Sequence, residues 1–149
     1  MPSLRRLLLV LLMLGLVVTG SDLILLEHYE DRLQLVPLIL IAAGLVAVGL
    51  HAVGKGPSSL KVMRFLMVLY LLAGLMGVIL HYRGSRAFQV EVNPGLKGSE
   101  LFWRTVKAKA PPALAPAAMV HLGLLGLAYG FRHPVLSASS DDTERRRVE

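Results

Sequence analysis

The chain has 149 residues, 54% of them hydrophobic and 17% charged, with a mean hydropathy of +0.61, and so is too apolar for a water-soluble domain of its size. It contains no cysteine, which excludes disulfides, thiolate zinc sites, iron–sulfur clusters and a thiol nucleophile. The net charge of +6 falls at the ends of apolar runs and in one loop, where it meets lipid head groups, so nothing points to a nucleic-acid partner.

The first apolar run, residues 7–26, follows Arg5 and Arg6 and is long enough to cross a bilayer at about 1.5 Å of rise per residue. A cleavable signal peptide ending at Val18-Thr19-Gly20 is the rival reading; apolar Leu23 to Leu26 continue past that site, which favours a span. The second span covers residues 35–53 and carries Pro37 in its first turn, where a missing N–H costs little. The turn Gly54-Lys55-Gly56-Pro57-Ser58-Ser59 is short enough to force an antiparallel neighbour, so the third span, residues 62–82, pairs with the second.

The one long connection, residues 83–111, forms a cap. Phe88, Val90 and Val92 alternate with Gln89 and Glu91, predicting a short extended segment before the turn Asn93-Pro94-Gly95. After Ser99, read as an N-cap, Leu101, Phe102, Trp103 and Val106 interleave with Arg104, Lys107 and Lys109. That pattern predicts an amphipathic interfacial helix with Trp103 as its anchor among head groups. The fourth span, residues 112–131, opens at Pro111-Pro112 and closes at Gly130, and residues 137–149 read as a disordered tail.

The predicted fold is thus an all-α membrane protein, four transmembrane helices in an up-down bundle. With the N-terminus inside, nine Lys and Arg lie on the inner side (Arg5, Arg6, Lys55, Lys61, Arg64, Arg132, Arg145, Arg146, Arg147). Seven lie outside (Arg32, Arg83, Arg86, Lys97, Arg104, Lys107, Lys109). The margin is narrow, but Arg5-Arg6 abut the first span, and both termini are placed in the cytoplasm.

An ionisable side chain at membrane depth needs a reason. Asp22 lies about one turn inside the outer end of helix one, and His121 near the middle of helix four. If helix one runs a further turn, Glu27, Glu30 and Asp31 share one face and repel one another. Arg83 and Arg86 leave helix three on the same side, so an acid-to-base clasp is one reading. A metal held by His28, His81 and Glu27 is the other, without any ligand-spaced motif such as His-Glu-x-x-His. For haem, His28 and His81 are the only histidines at one level, on helices diagonal in a simple bundle, which argues against it. On helix four, Gly123, Gly126 and Gly130 form a stripe opposite His121; if His121 turns inward, the stripe faces another subunit.

The strings Leu26-Glu27-His28-Tyr29-Glu30-Asp31, Leu80-His81-Tyr82-Arg83-Gly84 and Pro112-Ala113-Leu114-Ala115-Pro116, in this order between four spans, resemble a group of small bacterial membrane proteins of unknown function. The resemblance implies a bacterial inner-membrane location and no activity. The expected function is a non-enzymatic accessory subunit or ligand-binding module working through the cap, within the bilayer, as a homo-oligomer or part of a larger complex, and without a cofactor. Redox or metal chemistry, with a metal or haem at the outer histidines, is the alternative. Transport of a small cation or proton through Asp22 and His121, in an oligomer, is the third.

Overall fold

The computed structural model describes residues 2–54, 56–108 and 114–136, and every described element is a helix. They are α1 (Pro2–Leu25), α2 (Leu35–Gly54), α3 (Pro57–Val92), α4 (Gly98–Val106) and α5 (Leu114–Gly130). Three are long and apolar enough to cross a membrane: Ser3–Leu25, Leu35–Gly54 and Pro57–Val92. The fourth predicted span appears as the shorter apolar helix α5. Its proposed Pro111-Pro112 opening lies outside the described residues, as do Lys55, Lys109 and the predicted disordered tail.

α1 packs on α2 and α5, α3 packs on α2 and α5, and α4 packs on α3. The core is one helical stripe from each long element: Leu12, Leu16 and Leu23 of α1; Ile41 and Val48 of α2; Leu60, Met63, Met67 and Tyr70 of α3; Met119, Leu122 and Tyr129 of α5. The most apolar window of each candidate span is only 17%, 28% and 22% buried inside the protein, so most of its leucines and valines look outward. Apolar surface on that scale calls for lipid, and lipid supplies no hydrophobic force to hold helices together.

Close approach and interhelical hydrogen bonds take that role. A Cβ built on Gly74 would sit 2.9 Å from both the Pro116 carbonyl oxygen and the Val120 backbone nitrogen, and one on Gly123 would sit 2.8 Å from the Met67 carbonyl oxygen. Glycine is what lets the α3 and α5 backbones meet there. Tyr70, fully buried on α3, donates its hydroxyl hydrogen to the Leu40 carbonyl of α2 at 2.9 Å.

Two sequence expectations for the cap change. Residues 88–92 are helical, and α3 runs ten residues past its predicted end at Tyr82. Gly84 alone does not stop a helix; the first real breaker is Pro94, whose ring disfavours helical geometry at Asn93. The amphipathic helix begins at Gly98 with Lys97 as N-cap, so Ser99 is already inside it.

Candidate functional site

At the end of the molecule where α1 stops, the chain turns through a left-handed residue that is not glycine. Glu27 has φ 52°, its N–H bonds the Ile24 carbonyl at 3.0 Å, and the His28 N–H bonds the Leu23 carbonyl at 2.9 Å. This is a Schellman cap. Because helix one ends here, Glu27, Glu30 and Asp31 do not line one helical face, and the like-charge stripe expected of a longer helix does not form. All three are exposed, and Gln34 accepts the Asp31 N–H on its Oε1 at 3.1 Å.

The turn lays the His28 ring against His81 of α3, centroids 6.0 Å apart and planes 27° apart. His81 Nδ1–H donates to the Gly77 carbonyl at 3.0 Å, which leaves Nε2 with its lone pair. Burial, and then the neighbouring His81, lower the pKa of His28. Arg83 and Arg86, two and five residues further along α3, are exposed and pair with none of these acids. The ion pair among the described residues is Arg104 with Glu100 on α4, at 3.2 Å. No group of three or more metal-ligating side chains is gathered among the described residues.

Beyond the histidines, α4 lies against α3 with Leu101 and Thr105 buried, and Thr105 Oγ1 donates to the Leu101 carbonyl at 2.7 Å. Its other face presents Phe102 and Trp103, 46% and 55% exposed, with ring centroids 5.4 Å apart. Tyr82 approaches Phe102 at 6.2 Å, and the Lys107 ammonium stands 5.5 Å over the Trp103 ring. Phe88 and Val92 of α3 are likewise exposed.

The two polar residues that the sequence reading placed at membrane depth point away from the core. Asp22 is exposed on α1; His121 is exposed on α5 and bonds the carbonyl of Ala117, one turn back, at 3.2 Å. Gly123, Gly126 and Gly130 are buried, against Met67, Leu71, Leu12 and Arg64, so the stripe packs within the chain.

The opposite end holds a cluster that reading the sequence had passed over. His51 of α2 is fully buried, with Nδ1 2.8 Å from Ser59 Oγ of α3 and Nε2 2.9 Å from Tyr129 Oη of α5. Ser59 spends its only hydrogen on the Gly56 carbonyl at 2.9 Å, so it accepts from His51 Nδ1–H. His51 Nε2 in turn accepts the Tyr129 hydroxyl hydrogen, and the direction of every bond in the chain is set. The His133 ring closes the cluster, 5.7 Å from His51 and 5.2 Å from Tyr129. Arg5 of α1 then caps α5, donating Nη1–H to the carbonyls of Tyr129 at 3.1 Å and Phe131 at 3.4 Å, and Nη2–H to that of Arg132 at 2.9 Å. Arg132 adopts a left-handed φ of 45° there. Burial, then Arg5, then His51 lower the pKa of His133. The signal was present in the sequence: each of these polar residues lies within a turn or so of one end of its helix, and alternating helices bring those ends to one level.

No protein-family model, curated protein or solved structure matches the chain.

Proposed function

We propose that the chain is a four-span, up-down membrane bundle, with α5 as the fourth span and both termini in the cytoplasm, that acts without catalysis as an accessory subunit. Its working surface is the extramembrane cap made by the end of α3 and by α4. One observation carries this reading: α3 has 36 residues, about 54 Å of helix, against a hydrocarbon core of roughly 30 Å. At least its last ten residues therefore stand clear of the hydrocarbon, and α4 folds back on them with an aromatic face turned outward. Exposed Phe and Trp ringed by Arg and Lys are the composition of a recognition surface.

The test is photocrosslinking in the native membrane from a photoreactive residue at Trp103 or Phe88, with the outward-facing Val46 of α2 as control. The reading expects a discrete protein adduct from the cap positions and lipid adducts alone from Val46. Lipid adducts alone at all three would overturn it. A second reading, metal binding by His28 and His81, is favoured by their apposition and by the free Nε2 of His81. Metal content of tag-free protein, with and without His81→Ala, decides it.

A further inference from the structure

The end of the bundle opposite the cap is built from the start of α1, the α2–α3 turn and the end of α5. It carries Arg5, Arg6, Lys61, Arg64 and Arg132 among its described residues. The described carboxylates are Asp22, Glu27, Glu30, Asp31, Glu91 and Glu100, and none belongs to these segments. The described carboxylates thus sit away from this end, which has no internal counter-ion among the described residues.

Three of the cations converge on the last turn of α5. Arg5 is bound to its final carbonyls, so the usual draw of a helix C-terminus for a cation is already met. Arg64 lies alongside, its Cγ 2.9 Å and its Cδ 3.0 Å from where a Cβ on Gly130 would be. The missing side chain at Gly130 seats the aliphatic stem of Arg64, while the residue as a whole stays exposed. Arg132 follows Gly130 by two residues, with its guanidinium 5.4 Å over the ring of Phe131, itself 67% exposed. Lys61 is one turn before Arg64 on α3 and continues the same strip. An exposed aromatic ring beside snorkelling arginines, at the end of apolar helices, belongs at the depth of lipid phosphates.

We propose that Lys61, Arg64 and Arg132 form a binding site for the phosphate of an anionic phospholipid, seated over the C-terminal end of α5. The guanidinium forks of Arg64 and Arg132 match phosphate oxygens, and with the Lys61 ammonium, and no carboxylate beside them among the described residues, they select a lipid with net negative charge over a zwitterionic one. The inference rests on the membrane-spanning part of the proposed function and is independent of the cap, which lies at the other end.

The experiment is titration of the full chain, purified in a neutral detergent, with dioleoyl-phosphatidylglycerol or dioleoyl-phosphatidylcholine, with bound lipid counted by native mass spectrometry. Phosphatidylglycerol should bind about tenfold more tightly than phosphatidylcholine, on the scale expected of one to two surface cations. Arg64→Gln with Arg132→Gln should reduce that preference to about twofold or less, whereas Arg83→Gln with Arg86→Gln, at the cap, should leave it in place. Arg132→Gln alone, at an exposed residue beyond the helix, should weaken it in part and holds the test open if the double variant is unstable. Equal binding of the two lipids, a preference that survives at Arg64 and Arg132 but is lost at Arg83 and Arg86, or displacement of phosphatidylglycerol by equimolar inorganic phosphate would each overturn the proposal. A cap that crosslinks no protein leaves this outcome untouched, so the two readings fail separately.

Discussion

Both ends of the bundle terminate a helix with a left-handed residue that is not glycine, Glu27 after α1 and Arg132 after α5, yet the two ends are held in different ways. At the Arg132 end the strained turn is tied: its carbonyl accepts from Arg5, and His51, Ser59 and Tyr129 link three helices in one directed chain of hydrogen bonds. At the Glu27 end the acids are exposed and unpaired, and the nearest specific contact is the His28–His81 ring apposition. In lipid, where helices gain nothing from hydrophobic association, buried polar bonds are among the few forces that fix which ends meet. The tied end therefore sets the architecture, while the loose end is free to meet something else.

That contrast can be broken at graded strength. The largest effect is expected between the ends, at the α3–α5 contact: Gly74→Ala drives a methyl group into two backbone atoms and should destabilise the fold by about 2–3 kcal/mol in detergent unfolding, well beyond its gain in helix propensity. Next, His51→Ala strands the Tyr129 hydroxyl in a buried site and should cost about 1–3 kcal/mol, whereas His81→Ala at the loose end should stay within about 0.5 kcal/mol. Equal costs for the two histidines, measured by the same thermal unfolding, would erase the distinction. Glu27→Gly should stabilise by up to about 1 kcal/mol by relieving the left-handed turn.

Acidification should act at both ends and least strongly. His133 and His28 both have pKa values below the ordinary 6.5, so their neutral forms are the ones the fold favours. The unfolded chain then takes up more protons as pH falls below about 6.5, and stability should be full above that value and decline beneath it. A melting temperature recorded from pH 7.5 to pH 5 should slope downward with acid, and less so in His133→Gln.

Much of this was legible in the sequence. Hydrophobic run lengths gave the helices but not the limits of α3, which starts at Pro57 instead of residue 62 and runs to Val92, just before Pro94, instead of stopping at Tyr82. The alternation Phe88, Val90, Val92 misled because a short period-two pattern cannot compete with a helix already nucleated and propagating from thirty residues upstream. His121 misled for a different reason: a helix can satisfy its own imidazole through the carbonyl one turn back, so a histidine in an apolar helix need not turn inward. The cluster around His51 went unread because its parts, Arg5, His51 with Ser59, and Tyr129 with His133, are far apart in sequence and none belongs to a ligand-spaced motif. Only the juxtaposition of helix ends makes them neighbours.

The most direct test of the account is membrane sidedness. The chain has no native cysteine, so Ser58→Cys, Arg132→Cys, Leu33→Cys and Gly95→Cys each introduce a single thiol for an impermeant maleimide. Labelling of Ser58→Cys and Arg132→Cys from one side of sealed vesicles, and of Leu33→Cys and Gly95→Cys from the other, is the result expected of four alternating spans with a tied end and a cap end. Labelling of Ser58→Cys and Gly95→Cys from the same side would mean that α3 does not cross, and the account would fail with it.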